Sequence, residues 1–291
     1  MAFKPAKRRN SKLRLALAAP SGGGKTFTAI QIAKLLGGRI GLLDSERSSA
    51  EKYARADGTE EGPGNWDFGH ENLDEKNPQE YMAKIGEAAT EGIEVLIIDS
   101  YSHSCMAALE VIDRMGGWVK AGKNVSPLIA RLVDTVLNYP GHVIGTFRSK
   151  SDNVVEKDEK TGKNVIRKLG MAPVARPDSE FEWDLWLDLD REGTLTVGKS
   201  RFHGVIDVGT VYTREEIPKL VAQLKQRLES GAPPTPHETL LERVKFAQTA
   251  EALALVASEL KRLGDAGQIS DEERKTFVAA YVAKKREFQS Q

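Results

Sequence analysis

The chain has 291 residues, enough for one large domain or a large domain with a small one, and 42 basic residues balance 42 acidic ones. Zero net charge gives no sign of a nucleic-acid partner, so any such signal has to be local. One cysteine excludes an internal disulfide and a multi-cysteine zinc site, and the five histidines lack ligand spacing. Without a long apolar run or a signal peptide, we expect a soluble, cytoplasmic protein with no membrane partner.

The first twelve residues, MAFKPAKRRNSK, form a short basic arm that is too polar to pack by itself. A solvated tail is the first interpretation of residues 1–12, and an arm that contacts phosphates is the alternative. We expect the folded core to begin after this arm.

The stretch 13–26, LRLALAAPSGGGKT, predicts a strand, a glycine-rich loop and the first turn of a helix. It fits the phosphate-binding loop pattern, with Ala19 in place of the usual first glycine. Glycines allow positive φ angles, so backbone N–H groups can point at phosphate oxygens, and the helix dipole favours the same anion. Lys25 would reach the β- and γ-phosphates, and the Thr26 hydroxyl would bind Mg²⁺. An ordinary turn that caps a helix is the alternative. The candidate nucleotide-binding residues are Pro20, Ser21, Gly22, Gly23, Gly24, Lys25, Thr26 and Phe27.

A second short strand is predicted over 39–44, and it ends in the polar sequence Asp44-Ser45-Glu46. A short helix over 48–56 and a strand around 66–68 are expected next. Pro78 then stands where a helix would start, because proline suits the first helical position.

The apolar run 95–99, VLIID, is typical of a strand covered on both faces in a parallel sheet. It places Asp99 at the carboxyl end of the strand, where α/β proteins bind their ligands. There Asp99 would hold the magnesium shell, through water or through Thr26. A carboxylate that caps the next helix is the alternative.

Two helices are predicted over 102–115 and 126–138, with a loop over 116–124 between them. The run 142–147 indicates another buried strand, which ends at Arg148. Strands that alternate with helices predict an α/β fold with a mostly parallel central sheet.

The segment 148–179 is locally basic, and valine and isoleucine pairs flank the turn-like sequence DEKTGK within it. This pattern predicts a basic β-hairpin, and a positive surface beside a nucleotide site suits a phosphate backbone. A solvated, mobile loop is the alternative. The candidate DNA-binding residues are Arg148, Lys150, Lys157, Lys163, Arg167 and Lys168.

An antiparallel pair is predicted from 181–190 and 194–197, because apolar residues occupy alternate positions from Phe181 to Leu189. Lys199 and Arg201 follow, and residues two apart on a strand share a face. They are either surface cations or cations that reach a phosphate on a neighbouring subunit.

The end of the chain is expected to be a small helical region. A helix near 214–228 would close a core of residues 13–230, and the proline-rich stretch 231–237 would be a stiff linker. Residues 238–291 predict a helical hairpin, with Thr249 capping one helix and Ser270 with Glu273 forming a capping box for the other. A docking surface for a partner is the alternative use of its apolar stripes.

The order of these motifs resembles the RecA-type recombinase core over residues 12–215. The most similar group is the phage branch of short RecA-like ATPases that act in single-strand annealing or recombination, the Sak-four group. The resemblance implies that Glu46 is the catalytic glutamate, that Asp99 coordinates the metal, and that Lys199 and Arg201 enter the ATP site of the next subunit. It also implies that the loop after residue 147 binds DNA, and that Thr146 takes the place of the amide that senses the γ-phosphate.

The resemblance therefore implies an ATP-dependent protein that binds single-stranded DNA and promotes annealing or recombination. It would hydrolyse ATP with Mg²⁺, and DNA would stimulate the hydrolysis. The protein would act as an oligomer, either a ring or a filament. Its partners would be single-stranded DNA, further copies of the chain and a single-strand-binding protein, in the host bacterial cytoplasm if a phage encodes it. Phe3 and Ala6 fit the Phe-x-x-Ala anchor of some recombinases, or match it by chance. The alternatives are a ring-forming helicase, an ATP-switched scaffold that does not act on DNA, and a small-molecule kinase.

Overall fold

A computed structural model describes residues 8–114, 118–157, 164–173 and 179–289. These residues contain nine β-strands and eight α-helices. The strands are β1 (Arg14–Ala19), β2 (Ile40–Asp44), β3 (Gly69–Asn72), β4 (Val95–Asp99), β5 (His142–Lys157), β6 (Asn164–Pro173), β7 (Leu185–Leu189), β8 (Leu195–Ser200) and β9 (Val211–Tyr212). The helices are α1 (Lys25–Leu36), α2 (Pro78–Thr90), α3 (Tyr101–Arg114), α4 (Trp118–Leu137), α5 (Ile217–Leu228), α6 (Pro236–Phe246), α7 (Ala250–Asp265) and α8 (Asp271–Gln289).

The strands form one sheet in the order β3-β2-β4-β5-β1-β7-β8-β9. The neighbours from β3 to β7 pair in parallel, whereas β8 and β9 are antiparallel additions at the β7 edge. β6 pairs antiparallel with the distal part of β5. The predicted α/β class with a mostly parallel sheet, an antiparallel hairpin and C-terminal helices is confirmed. Because β1, β2 and β4 run in parallel, their carboxyl ends meet at one edge of the sheet, and β5 passes this edge before it pairs with β6.

Apolar side chains on the two faces of the sheet form separate cores. Leu15 and Leu17 of β1 contribute to the core beneath α1 and α5. Ile98 of β4 and Phe147 of β5 contribute to the core beneath α2, α3 and α4. The parallel strands β1, β2 and β4 are buried along their whole length, as the continuous apolar run 95–99 predicted.

Arg14 is the one charged residue in the otherwise apolar strand β1, and it is buried like its neighbours, with only 6 % of its surface exposed. Its guanidinium donates five hydrogen bonds to four main-chain carbonyls, those of Leu13, Leu137, Tyr139 and Gly141. Burial lowers the pKa of Arg14 to about 10, against the raising effect of Asp184. The arginine thus satisfies carbonyls at the end of α4 and in the turn that leads to β5, which would otherwise be buried unpaired.

Three local predictions were wrong. The expected loop over 116–124 is helical from residue 118, because α4 packs on α2 and α3 and this packing outweighs the cost of glycine and proline within the helix. The expected strand around 66–68 begins at Gly69, because Trp66 packs on Phe27 instead. The predicted helix over 48–56 is a short 3₁₀ turn, Ser49–Tyr53.

The prediction of a half-buried strand over 181–190 was also wrong. β7 covers only Leu185–Leu189, a 3₁₀ turn precedes it over Ser179–Glu182, and Phe181 is 61 % exposed. Trp186, expected on the solvent face, is 4 % exposed because β7 lies inside the sheet between β1 and β8 with helices on both faces. The antiparallel pairing of β7 with β8 is as predicted.

The C-terminal region contains three helices rather than a hairpin. α6 already begins at Pro236, inside the predicted linker, with Thr235 and Glu238 as its capping box. The expected Thr249 cap of α7 and the Ser270–Glu273 capping box of α8 are both present. Leucine and valine side chains of α6 and α7 and Phe277 of α8 form their own small core.

This region rests on the sheet-bearing part of the chain. Phe246 of α6 joins the core beneath α2, with its ring centroid 6.1 Å from that of Tyr139. The start of the described chain contacts the end of α5 and the linker, since Asn10 N–H donates to Ala232 O at 2.9 Å and Ser11 N–H donates to Leu228 O at 3.0 Å. Residues 8–11 of the predicted arm therefore lie along the linker. Among the described helices, none is both long and apolar enough to cross a membrane.

Candidate nucleotide-binding and catalytic site

The loop between β1 and α1 has the backbone geometry of an anion cradle. Gly22 and Gly24 have φ angles of 77° and 83°, which L side chains rarely adopt, and Gly24 is the residue that precedes α1. A Cβ at Gly23 would lie 3.1 Å from the Cβ of Ala19, so a side chain there would press on the turn. The loop therefore delivers the N–H groups of the first turn of α1 to one point.

Lys25 lies across this loop. Its Nζ donates to the carbonyl oxygens of Ala19 and Pro20, both at 3.3 Å. Burial lowers the pKa of Lys25, while the negative charges of Glu46 and Asp99 act in the opposite direction. The ammonium is held where a bound phosphate chain would replace the two carbonyls as its partner.

Asp99 lies at the end of β4 and is fully buried. Thr26 donates to its Oδ2 and Thr146 to its Oδ1, both at 2.5 Å. Burial raises the pKa of Asp99, and these two hydrogen bonds oppose the rise by stabilising the carboxylate. Thr146 is thus packed behind Asp99 and fully buried, instead of standing at the surface of the cavity.

The oxygen donors at this point fit a magnesium ion. Thr26 gives its hydroxyl proton to Asp99, which leaves its oxygen lone pairs for a cation on the side of the cavity. Hard oxygen ligands of this kind suit Mg²⁺, which usually keeps several waters and binds substrate phosphates as well. Thr26 would hold the ion directly and Asp99 from behind, and a magnesium ion so held neutralises charge on the β- and γ-phosphates.

Asp44, the last residue of β2, fixes the main chain at Glu46 through hydrogen bonds. Asp44 accepts the N–H of Glu46 at 2.5 Å through Oδ1 and the N–H of Ala50 at 3.0 Å through Oδ2. The Glu46 side chain forms an ion pair with Arg148, whose Nε and Nη2 each lie 3.0 Å from Oε1. The structure thus brings the candidate catalytic carboxylate to the phosphate loop and places a candidate DNA-binding cation on it.

These groups surround an open cavity of about 370 Å³. Its lining residues are Ser21, Gly22, Gly24, Lys25, Thr26, Glu46, Tyr53, Arg148 and Ser149. Five of the eight predicted nucleotide-binding residues lie in this lining, while Gly23 supports the turn from beneath. Tyr53 and Ser149 had no motif in the sequence to indicate them.

A second group of residues that the sequence did not indicate joins the ends of β2 and β4. Ser45 Oγ accepts the N–H of Ser100 at 2.8 Å and lies 2.6 Å from Nδ1 of His103. Burial and the nearby Arg148 cation lower the pKa of His103. The neighbouring Ser102 Oγ accepts the N–H of Arg148 at 3.0 Å, so the start of α3 is fastened to the strand that carries Arg148.

Lys199 and Arg201 lie away from the phosphate loop of their own chain. In the sheet, Lys199 of β8 is opposite Trp186 of β7, and Trp186 is opposite Ala16 of β1. The phosphate loop begins only after Ala19, at the carboxyl end of β1, while the chain from Lys199 to Arg201 runs towards the other end. Arg201 pairs with Asp184 at 3.0 Å and donates to Phe181 O at 2.6 Å, and Lys199 donates to Glu180 O. Within one subunit these cations cannot serve the site that contains Lys25.

The remaining DNA-binding candidates lie along the β5–β6 hairpin. The backbones of Lys150 and Lys157 belong to β5, and those of Arg167 and Lys168 belong to β6, with Arg167 opposite Val154. Lys163 lies outside the described residues, as do Phe3 and Ala6 of the candidate anchor.

A phosphate loop at the end of β1 and carboxylates at the ends of β2 and β4 define a P-loop nucleoside triphosphatase. Residues 11–191 match the family described as an AAA domain (AAA_24), and the chain belongs to this family. It is thus an ATPase of the P-loop superfamily.

One similar solved structure is described as a prototypical ATPase from the type III secretion system of pathogenic bacteria. It is 19 % identical, the alignment covers 86 % of this chain and 80 % of that chain, and the TM-score is 0.39. No curated protein matches the sequence.

Proposed function

We propose that the protein is an oligomeric ATPase that binds single-stranded DNA through the β5–β6 hairpin, is stimulated by that DNA, and promotes strand annealing in recombination. One observation carries the proposal. β5 is a continuous strand of 16 residues. Its first half carries Thr146, which donates to Asp99, and Arg148, which donates to Glu46. Its second half pairs with β6 to form the hairpin. The ATPase site and the candidate DNA-binding element therefore share one strand.

The Arg148–Glu46 pair gives this arrangement a chemical consequence. A carboxylate that accepts a guanidinium N–H and is ion-paired with a second guanidinium nitrogen is less available to polarise the water that attacks the γ-phosphate. Phosphate oxygens compete well for a guanidinium because they accept the same paired hydrogen bonds. DNA phosphates on the hairpin would draw Arg148 from Glu46 and release the carboxylate.

The charge of the hairpin segment supports a nucleic-acid partner. Residues 148–178 contain eight lysines and arginines against five aspartates and glutamates, in a chain whose total charge is zero. A local positive charge beside a nucleotide site suits a phosphate backbone, and binding of this kind weakens with salt.

The position of Lys199 and Arg201 supports an oligomer. Both lie at the end of the sheet that is opposite to their own phosphate loop, and Arg201 is exposed. In a head-to-tail assembly this end of one subunit would face the nucleotide site of the next. A cation supplied in this way is worth about 10³–10⁵ in hydrolysis rate in comparable enzymes.

The test is steady-state ATP hydrolysis at low salt, with and without single-stranded DNA, for the wild-type protein, Arg201→Ala and Glu46→Gln. Arg131→Ala is the matched control, because Arg131 is an exposed arginine on α4. We expect stimulation by DNA in the wild type and the control, its loss in Arg201→Ala, and a fall in kcat of at least about 10²-fold in Glu46→Gln. Annealing of complementary oligonucleotides is measured in parallel. Equal rates with and without DNA, together with no DNA binding at low salt, would refute the proposal.

A second function, an ATP-switched scaffold, is favoured by exposed apolar side chains on the C-terminal helices. Leu255 of α7 is 56 % exposed and Val278 of α8 is 49 % exposed. Leu255→Glu with Val278→Glu separates the two functions. A scaffold would lose its partner and keep its ATPase rate, whereas a DNA-stimulated ATPase would keep its response to DNA.

A further inference from the structure

Arg214 lies beside the phosphate loop although it is 190 residues away in the sequence. It begins the 3₁₀ turn Arg214–Glu216, which leads into α5, and Thr213 and Glu216 fix this turn by a capping box. Its guanidinium lies over the ring of Phe27, with Cζ 5.8 Å from the ring centroid. The helix-initiating turn therefore delivers a cation to the first turn of α1.

Two glycines make the space for this guanidinium. A Cβ at Gly24 would lie 3.0 Å from Arg214 Nη2, and a Cβ at Gly193 would lie 3.3 Å from Arg214 Cζ. Gly193 belongs to the turn between β7 and β8, so the guanidinium fits between that turn and the phosphate loop. A side chain at either glycine would press on it.

Arg214 has no anionic partner in the part of the chain that the structure describes. Its Nε is buried without a hydrogen-bond partner, and no described carboxylate forms an ion pair with it. A cation in the first turn of a helix is also unfavourable to the helix dipole. A buried N–H donor without an acceptor is costly, so an anionic acceptor from outside the chain would stabilise this arrangement.

The order of the strands in the sheet indicates which part of a bound nucleotide would contact Arg214. Glu46 and Arg148 lie on the β5 side of β1, where the proposed function puts the γ-phosphate, whereas Gly193 and Arg214 lie on the β7 side. If the γ-phosphate of a nucleotide lies at Glu46 and the phosphate chain crosses the loop, the nucleoside end of that nucleotide lies on the β7 side. Phe27, which Arg214 covers, directly follows Thr26 in the first turn of α1.

We propose that Arg214 binds the α-phosphate of the nucleotide from the nucleoside side of the loop. The inference rests on nucleotide binding at the phosphate loop and not on DNA binding. It makes Arg214 a ligand-binding residue for any nucleotide that carries an α-phosphate, with or without a γ-phosphate.

The experiment measures the Kd of ADP by calorimetry, in the absence of DNA, for Arg214→Ala, Arg214→Lys and the matched control Arg227→Ala on α5, the helix that follows the turn. We expect Arg214→Ala to raise the Kd of ADP and of ATP by a common factor of about tenfold or more, since a charge-assisted hydrogen bond is lost. Arg214→Lys should retain part of the affinity as a point charge without the planar fork. Arg227→Ala should bind as the wild type does.

Two further measurements test the proposal, namely the Kd of GDP and the melting temperature of Arg214→Ala. GDP is measured beside ADP: an equal loss for both indicates the phosphate, whereas a loss confined to one base would place Arg214 on the base and overturn the proposal. An Arg214→Ala protein with a lower melting temperature and an unchanged Kd for ADP would show a structural role only. Failure of DNA stimulation leaves this result intact, whereas wild-type protein that does not bind ADP would overturn the premise itself.

Discussion

Arg148 and Glu46 lie 102 residues apart in the sequence and form an ion pair at the mouth of the nucleotide cavity, with Nε and Nη2 of Arg148 each 3.0 Å from Oε1 of Glu46. Their side chains are 45 % and 25 % exposed, and ion pairs of this exposure are worth at most about 1 kcal/mol. The pair is therefore too weak to stabilise the fold appreciably, and its replacement by a competing anion, as the proposed function requires, costs little.

The first prediction concerns this pair. Arg148→Ala should raise the ATPase rate without DNA by up to about fivefold, the factor that corresponds to 1 kcal/mol, because Glu46 is freed. The ratio of the rates with and without DNA should fall. Steady-state hydrolysis measures both, and Arg131→Ala controls for the loss of an exposed arginine. A lower rate without DNA in Arg148→Ala would show that the arginine serves hydrolysis instead of restraining the glutamate.

The second prediction concerns the hydroxyl behind Asp99. Thr146→Val removes the donor to Oδ1, so the carboxylate loses stabilisation and its pKa rises further. Because magnesium binding needs the ionised form, the acid limb of the pH profile of kcat/KM should move to higher pH. The direction of the move follows because loss of a hydrogen bond to the charged form disfavours that form.

Thr135→Val is the control for that shift, since the hydroxyl of Thr135 is exposed on α4 and bonds only within its own helix. A profile of Thr146→Val that coincides with the wild-type profile would mean that Thr146 does not govern the ionisation of Asp99.

The third prediction concerns the dependence of stability on pH. His142 accepts the N–H of Leu13 through Nδ1 at 3.0 Å, and burial lowers its pKa from 6.5 to about 4. Between these values the unfolded chain binds more protons than the folded one, so stability rises with pH and is lost as pH falls from 6.5 towards 4. The loss attributable to this group is on the order of 3 kcal/mol.

His142→Asn provides the measurement, because the asparagine oxygen can replace Nδ1 as an acceptor and does not titrate. Urea unfolding at pH 5 and pH 7 should show a smaller difference for His142→Asn than for the wild type. His203→Asn, at an exposed histidine, should leave the difference unaltered. Identical pH dependence in all three proteins would contradict the assignment.

The fourth prediction concerns the junction between α2 and the C-terminal helices. A Cβ at Gly86 would lie 2.7 Å from Gln248 Cγ and 3.0 Å from Phe246 O. Alanine in a helix is ordinarily more stable than glycine by about 1 kcal/mol, but here overpacking of about 1–3 kcal/mol opposes the gain. Gly86→Ala should therefore loosen the contact and increase protease cleavage in the linker before Pro236.

Gly264→Ala in α7 is the counterpart, because the nearest atom to its Cβ is the end of the flexible Arg274 side chain. That variant should unfold at the same or a higher urea concentration and resist cleavage as the wild type does. Increased stability of Gly86→Ala would show that the C-terminal helices do not press on α2.

The phosphate loop and the carboxylate at the end of β4 could be predicted from the sequence because their chemistry is local. Gly22, Gly24 and Lys25 are neighbours in the chain, and the apolar run before Asp99 admits few structures other than a buried strand. The parallel sheet followed from the alternation of such runs with helical segments.

Other features could not be predicted because they depend on strand order. Arg148 was expected to contact DNA, and only the insertion of β5 between β4 and β1 brings it to Glu46. Arg14 interrupts an apolar strand, and no local pattern shows that three of its four carbonyl partners are more than 120 residues away. The alternation before Leu189 indicated a half-exposed strand, but pairing on both edges and helices on both faces buried Trp186.

The continuity of β5 also bears on how this protein can change in evolution. Side chains alternate along a strand, so one residue inserted between Arg148 and Lys157 would turn every later side chain to the opposite face and shift its pairing with β6. Substitutions along the strand leave the register intact, whereas insertions and deletions do not. Homologous chains should therefore conserve the spacing from Thr146 to Lys157 and vary in length only between β5 and β6.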